Sequence, residues 1–268
     1  MKLEHICASA KEIVLETADF IRYSKINFKK KSIQKKGLHD LVSFVDLEAE
    51  KKLVSGLSEI LPEAGFITEE NTRSERKEYN WIIDPLDGTT NFIHGIPTYC
   101  VSVALERDNE IQIGIVHEIV GKETFYSVKN GKSFMNTKQI KVSSNKKISD
   151  SLIGLGIPVN EFKHLEEYKN ALEYFIKNTR GVRRIGSAAA DLCYVACGRF
   201  DGFFELNLKP WDVAAGALIV KNAGGIVTDF SGKKDWLFGK NIMASSKNMH
   251  VIFKKTISSS FKNFIRNV

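Results

Sequence analysis

Residues 81–91, Trp-Ile-Ile-Asp-Pro-Leu-Asp-Gly-Thr-Thr-Asn, carry the strongest structural signal in this chain. The apolar run over residues 81–83 is typical of the end of a buried strand. Asp84 and Asp87 follow it, and the proline between them fixes its own φ and pushes the preceding residue toward extended geometry. Residues 88–90 then supply a flexible residue and two hydroxyl residues, which suit a turn and a helix start. The stretch predicts a strand, two acids, a tight turn and a helix N-terminus in direct succession.

This succession suits a divalent cation that holds a phosphate group. Carboxylates are hard oxygen ligands for Mg²⁺, and the free N–H groups of a helix start can receive phosphate oxygens. Asp, Pro and Gly are also the commonest turn residues, so two ordinary turns over residues 84–88 are the alternative interpretation. Acidic residues elsewhere in the chain bear on the choice between the two.

The length of the chain allows one large domain or two fused halves. Its 268 residues include 26% charged and 43% hydrophobic residues, which is ordinary for a globular protein. Residues 143–150 are polar and lysine-rich, and the pattern of elements changes after them. We therefore predict an α+β domain over residues 1–145, with an antiparallel sheet and most metal ligands, and an α/β domain over residues 146–268 that completes the active site.

Targeting and redox features favour a cytoplasmic protein with no membrane partner. No apolar stretch approaches the roughly 20 residues that span a bilayer. Residues 1–5 carry an early acid and no apolar h-region, so we predict no signal peptide. The four cysteines, Cys7, Cys100, Cys193 and Cys197, form no CxxC motif and are expected to be buried free thiols.

The net charge of +7 has two interpretations, an anionic partner or ordinary solvated lysines. Several lysines lie in residues 27–37, which we predict to be a loop or hairpin. Asp40 and Asp46 follow this stretch. Asp46 is either the N-cap of a helix over residues 47–61 or a residue linked to a metal site.

Hydrophobic periodicity predicts the other elements. Residues 3–23 have helical spacing, residues 65–68 form a short strand, and residues 98–106, 110–119 and 123–128 form an antiparallel meander. Beyond residue 150 strands and helices alternate, which indicates an α/β half. The strands are predicted at 151–157, 181–185, 203–206, 225–229 and 242–244, and the helices at 161–178, 186–197, 211–223 and 248–265.

Further acidic residues stand where elements begin or end. Glu69 follows the strand over residues 65–68, and we expect it to share a cation with Asp84 and Asp87 if the two strands are neighbours. Asp212 lies in the first turn of a helix, where the helix dipole alone would also explain it. Residues 186–188 open a helix of small residues, which is either an anion or substrate seat or a site of tight packing.

Together these stretches resemble the inositol monophosphatase family of Mg²⁺-dependent, lithium-sensitive phosphatases. The likeness covers nearly the whole chain and is carried by Glu69-Glu70, by residues 84–92, and by residues 211–216 with 223–225. The resemblance implies an α/β fold, a layered α-β-α-β-α sandwich of the sugar phosphatase type, and a homodimer. It also implies two or three Mg²⁺ ions, with Mn²⁺ as a substitute and Li⁺ as an inhibitor.

The resemblance also implies roles for individual residues. Glu69, Asp84 and Thr89 would be catalytic, and the basic loop around Lys35 and Lys36 resembles the family's loop over the active site. The implied metal ligands are Glu69, Asp84, the backbone carbonyl of Leu86, Asp87 and Asp212. The implied residues that bind phosphate or substrate hydroxyls are Asp87, Gly88, Thr89, Gly186, Ser187, Ala188, Glu205 and Asp212.

The predicted reaction is hydrolysis of inositol monophosphate to inositol and phosphate by direct attack of a metal-activated water. The Thr89 hydroxyl, near Glu69, would orient that water. Fructose 1,6-bisphosphate, 3′-phosphoadenosine 5′-phosphate and histidinol phosphate are alternative substrates of the same machinery. Glu205 favours a polyhydroxylated leaving group, because a carboxylate accepts hydrogen bonds from vicinal hydroxyls. A hypothesis of another class is a binding role with RNA or the transcription machinery, which some bacterial relatives have.

Overall fold

The computed structural model describes residues 2–26, 33–35, 41–157 and 162–266. The helices are α1 (Leu3–Ile26), α2 (Phe44–Ile60), α3 (Thr89–His94), α4 (Leu165–Asn178), α5 (Ala188–Ala196), α6 (Pro210–Asn222), α7 (Lys247–Ser260) and α8 (Lys262–Arg266). The strands are β1 (Ile33–Lys35), β2 (Leu41–Ser43), β3 (Gly65–Thr68), β4 (Tyr79–Asp87), β5 (Cys100–Arg107), β6 (Glu110–Glu118), β7 (Glu123–Val128), β8 (Ser133–Met135), β9 (Lys138–Gln139), β10 (Leu152–Leu155), β11 (Gly181–Arg183), β12 (Gly202–Leu206), β13 (Ile226–Thr228) and β14 (Asn241–Ser245).

Two large sheets organise these elements. Within the described ranges, seven strands form the first sheet in the order β3-β4-β5-β6-β7-β8-β9. β3 runs parallel to β4, and each following pair is antiparallel. Also within the described ranges, five other strands form the second sheet in the order β11-β10-β12-β14-β13. β10 is parallel to both of its neighbours, whereas β14 is antiparallel to both of its own.

Helices cover and separate the two sheets. α1 and α2 bury residues such as Val14 and Leu53 against one face of the first sheet. α5 and α6 lie between the sheets, because Leu192 of α5 shares a core cluster with Ile82 of the first sheet and Phe203 of the second. α4 and α7 cover the outer face of the second sheet. The layers therefore follow the order α-β-α-β-α, which confirms the predicted fold class.

The two central helices consist largely of small apolar residues because each contacts a sheet on both sides. Every residue from Val213 to Val220 in α6 is buried, and a helix that is apolar all round is a core helix. Gly114 of β6 marks a close approach to this layer. A Cβ atom added at Gly114 would lie 2.6 Å from the carbonyl oxygen of Ala215, so only glycine allows β6 and α6 to pack at this distance.

Some element boundaries differ from the sequence prediction. β4 does not stop at Asp84 but continues to Asp87, with irregular pairing between the two residues. Pro85 lies in this irregular part, where it has no N–H group to donate. The single helix predicted over residues 248–265 is two helices, α7 and α8, with a break at Phe261. The three serines at 258–260, which are weaker helix formers, precede that break.

The basic stretch predicted as a loop or hairpin is described only in part. β1 pairs antiparallel with β2, as in a hairpin. Residues 27–32 and 36–40, including Lys36 and Asp40, lie outside the described residues. The division into two domains near residue 145 stays a prediction. Among the described residues, none of the helices combines the length and apolar character needed to cross a membrane.

The four cysteines and His117 are buried or half-buried side chains. All four cysteines are free thiols; three are buried and Cys197 is half-buried. Burial raises the pKa of the Cys100 thiol well above its usual value. His117 is buried and its Nδ1 lies 2.9 Å from the Thr124 hydroxyl. Burial lowers the pKa of His117 to about 4, so its ring is neutral at pH 7.

We expect Gly114→Ala to lower the free energy of unfolding by about 2 kcal/mol, because the added methyl group would force α6 away from β6. Urea unfolding of the purified protein measures this change. Gly121→Ala is the control, since the nearest atom to its added Cβ would be a terminal oxygen of the flexible Glu118 side chain rather than backbone. Equal unfolding midpoints for Gly114→Ala and the unmodified protein would contradict the proposed limit on packing.

Candidate active site

The end of β4 and the start of α6 bring three carboxyl groups together. One oxygen each of Asp84, Asp87 and Asp212 lies within 4.8 Å of the other two. Glu69 follows β3, which runs parallel beside β4, and its carboxyl group is hydrogen-bonded to that of Asp84. Three acidic residues that the sequence suggested as ligands therefore lie close together, and Glu69 lies beside one of them, Asp84.

Removal from water makes the charged forms of these carboxyl groups costly. Burial, followed by the negative charges of Glu69 and Asp87, raises the pKa of Asp84 well above its usual value. Burial raises the pKa of Asp87 to about 6. Burial and the charge of Asp87 raise the pKa of Asp212 to about 7. A divalent cation would offset this mutual repulsion, and a donor set made of oxygen atoms fits Mg²⁺.

The turn between β4 and α3 positions a hydroxyl group beside this cluster. Gly88 has a φ of 94°, in the left-handed region that favours glycine. The next residue, Thr89, places its hydroxyl oxygen 3.0 Å from both Oδ1 of Asp46 and the carbonyl oxygen of Leu86. The prediction placed this hydroxyl near Glu69, whereas its hydrogen-bonding neighbours in the structure are Asp46 and Leu86.

Asp46 is not an N-cap, so that interpretation is wrong. α2 begins at Phe44, which puts Asp46 within the first turn of the helix. Its side chain is buried and accepts from Thr89, 43 positions away along the chain. This contact favours the other interpretation, a link to the metal site. The pairing of Asp46 with Thr89 has no signal in the sequence, because a contact over this distance leaves no local pattern.

The start of α5 binds a carboxylate of the protein itself. Ser187 is the N-cap of α5, and its hydroxyl donates to Oδ2 of Asp87 at 2.7 Å. The backbone N–H of Ala189 donates to the same oxygen at 2.7 Å. One predicted role of residues 186–188 was an anion-binding site, and the anion bound at this helix start is the Asp87 carboxylate. The positive end of the helix dipole stabilises a negative charge at this position. The substrate contacts expected of these residues stay a prediction.

The side chain of Asn91 links three segments around the site through hydrogen bonds. Its side-chain amide donates to the carbonyl oxygens of Thr98 at 2.8 Å and of Ile185 at 2.7 Å. These bonds join α3 to the segment that follows it and to the loop that leads into α5. In the sequence Asn91 belongs to the opening stretch and to the motif over residues 84–92, and neither indicates a separate role for its side chain.

A cavity of about 600 Å³ opens beside the carboxyl groups, a size that suits a small-molecule ligand. Glu205 lines it, and a Cβ atom added at Gly156 would overlap the Glu205 carboxyl group. Burial, with the negative charges of Asp212 and Asp87, raises the pKa of Glu205 to about 8. The other residues lining the cavity are Asp87, Gly156, Ile157, Arg184, Gly186, Ser187, Ala188, Asp191, Leu206, Asn207, Leu208, Lys209, Asp212 and Lys240.

The fold and this cavity define a layered α/β protein with an acidic site for a small ligand, and comparisons with known proteins narrow the class. The model of the inositol monophosphatase family matches residues 2–260. The chain is 41% identical to the inositol-1-monophosphatase of Mesorhizobium japonicum, over 79% of this chain and 80% of that protein. It is 39% identical to the Nus factor SuhB of Vibrio cholerae, over 86% of this chain and 87% of that protein.

Solved structures agree with the sequence comparisons. The crystal structure of the extragenic suppressor protein suhB from Bartonella henselae matches with a TM-score of 0.88 and 34% identity, and the match covers 96% of this chain and 98% of that one. The class is therefore that of the phosphatases and their close relatives. The chain belongs to the inositol monophosphatase family, whose members are generally metal-dependent.

We expect Thr89→Val to lower the turnover of phosphate esters roughly 100-fold, because it removes the hydroxyl group that Asp46 holds. Thr89→Ser keeps the hydroxyl group and should stay within about tenfold of the unmodified protein. Steady-state phosphate release measures both variants. Thr90→Val is the matched control, since Thr90 is the exposed neighbour. Turnover of Thr89→Val close to that of the unmodified protein would exclude a part for this hydroxyl in the reaction.

Proposed function

We propose that this protein is a Mg²⁺-dependent phosphomonoesterase that hydrolyses inositol monophosphate to inositol and phosphate. The observation that carries the proposal is the convergence of Asp84, Asp87 and Asp212, with Glu69 beside them, at a cavity whose wall contains Glu205. When bound, Mg²⁺ would offset phosphate charge and lower the pKa of a coordinated water. The family membership supports a phosphatase reaction.

The proposed metal ligands are the four acidic residues and the carbonyl oxygen of Leu86. The backbone N–H of Leu86 donates to Oδ1 of Asp84 at 2.9 Å, which holds that carboxyl group in place. Ser187 and Ala189 hold Asp87 in the same way. Ligands fixed by their own hydrogen bonds need little reorganisation when a cation binds.

The start of α3 is the proposed seat of the scissile phosphate. The first N–H groups of a helix have no partner within it, so those of Gly88 and Thr89 can donate to phosphoryl oxygens. Asp46 can accept the proton of the Thr89 hydroxyl, which leaves the Thr89 oxygen able to accept a proton from the attacking water. The pair would thus act together as the general base.

Glu205 is the proposed contact for the leaving group. Its carboxyl group lines the cavity together with Asp212 and can bond adjacent hydroxyl groups of inositol. Fructose 1,6-bisphosphate, 3′-phosphoadenosine 5′-phosphate and histidinol phosphate remain the alternative substrates. The homodimer that the sequence resemblance implies stays a prediction.

The test of the proposed function is phosphate release from myo-inositol 1-phosphate with and without Mg²⁺, and then with added Li⁺. We expect release that requires Mg²⁺ and that Li⁺ suppresses. Asp84→Asn should lower it roughly 1,000-fold, because an amide is a weaker ligand for Mg²⁺ than a carboxylate. Asp108→Asn is the control, since Asp108 is exposed in a turn whose positive φ asparagine also tolerates.

Substantial activity in Asp84→Asn would remove the metal assignment. Phosphate release from one of the three alternative esters, but not from inositol phosphate, would support the proposed metal mechanism and show that the substrate is different. Circular dichroism of each variant shows whether its fold is intact.

A second candidate function is a binding role in the transcription machinery, favoured by the similarity to a Nus factor SuhB. Exposed lysines such as Lys146 and Lys147 would contact a nucleic acid through its phosphate charges. If this role is real, a labelled RNA of about 30 nucleotides should bind at about 50 mM salt and lose roughly tenfold or more in affinity at about 200 mM. Fluorescence anisotropy measures the affinity. Absence of binding at the lower salt concentration would exclude direct RNA binding.

A further inference from the structure

The lining of the cavity includes a buried carboxyl group to which the proposed reaction gives no role. Asp191 of α5 is 1% exposed and lines the cavity. Its Oδ1 atom has no hydrogen-bond partner among the described residues. A buried polar atom without a partner is destabilising, so its presence beside a ligand cavity requires an explanation.

Two glycines, Gly154 in β10 and Gly156 just after it, leave space for two carboxyl groups side by side. A Cβ atom added at Gly154 would lie 2.8 Å from Oδ1 of Asp191, and one added at Gly156 would overlap the carboxyl group of Glu205. Residues two apart in an extended segment face the same side. The carboxyl groups of Asp191 and Glu205 therefore lie over neighbouring positions on one face, and glycine at both positions makes space for them.

The electrostatic surroundings of this carboxyl pair favour hydroxyl groups as partners. Burial, then the negative charges of Glu205 and Asp87, raise the pKa of Asp191 well above its usual value, and Arg184 opposes that rise. A hydroxyl group suits either protonation state, because it can donate to a carboxylate or accept from a neutral carboxyl group. The χ2 torsion of aspartate is broad, so either oxygen of Asp191 can turn toward the cavity.

We propose that Asp191 is a second binding residue for the leaving group, which with Glu205 receives two adjacent hydroxyl groups on one face of a polyhydroxylated alcohol. This inference rests on the proposed function, since it requires a phosphate ester in the cavity. The carboxyl group of Asp191 gains its missing partner when such a leaving group binds. Selectivity for polyol esters is thereby obtained at the expense of the stability of the free protein.

The experiment compares kcat and KM for two esters, myo-inositol 1-phosphate and p-nitrophenyl phosphate, whose leaving group has no vicinal hydroxyls. We expect Asp191→Leu to raise KM about tenfold for the inositol ester and less than about twofold for the nitrophenyl ester, with kcat within about threefold for both. Asp191→Asn retains hydrogen-bonding atoms, so its KM should stay within about threefold. Thermal unfolding of Asp191→Leu should be unchanged or higher, because an apolar group replaces an unpartnered carboxyl oxygen.

Asp201 provides a matched control. It is 3% exposed and also has an unpartnered Oδ1 atom among the described residues, but it does not line the cavity, and its Oδ2 atom accepts from the backbone N–H of Leu152. Asp201→Ala, compared with Asp191→Ala, should leave KM unchanged for both esters. If Asp191→Leu does not fold, Asp191→Ala removes the same carboxyl group without added volume and gives the same comparison.

Two results would overturn the inference while the proposed function stands. One is an unchanged KM for the inositol ester in Asp191→Leu. The other is an equal loss on both esters, which would mean that Asp191 positions the site rather than contacts the leaving group. An unmodified protein that is inactive on both esters would remove the proposed function itself, and the inference with it.

Discussion

The anchoring of Asp87 by the start of α5 is the interaction on which the arrangement of the site depends. Asp87 ends a strand of the first sheet, and the helix that binds it lies between the two sheets. A carboxylate removed from water requires partners, and here the Ser187 hydroxyl and the Ala189 N–H donate to the same oxygen. Through these two bonds Asp87 acquires a fixed position beside Asp84 and Asp212 before any ligand binds.

The helical layer between the two sheets, α5 and α6, contributes the other side chains of the site. α5 presents Ser187 and Asp191, whereas α6 presents Asp212 in its first turn. Both helices can lie between two sheets because their residues are small, and Gly114 lets α6 approach β6 closely. A close-packed layer moves little, so acidic groups that repel one another remain together. Burial and the nearby negative charges raise the pKa values of Asp84 and Asp212.

Features with a local cause were predictable from the sequence. The strand over residues 65–68 and the meander followed from the spacing of apolar residues, and the structure has both. The turn and helix start after β4 followed from Gly88 and Thr89. Predictions were wrong where local signals were ambiguous. Aspartate is a common N-cap residue, but α2 begins two residues before Asp46. The residues of the predicted C-terminal helix likewise have one continuous helical pattern, but the structure divides them into α7 and α8 at Phe261.

The sequence by itself determined the strand, turn and helix of the central motif, and the acidic residues at the ends of its elements, because these depend on backbone preferences within a few residues. Only the tertiary structure decided which side chains meet. Thr89 with Asp46, Asn91 with Ile185, and Asp191 with the cavity are contacts across many positions. Such pairs are set by how the layers pack, and packing over long sequence separations leaves no periodic trace in a single sequence.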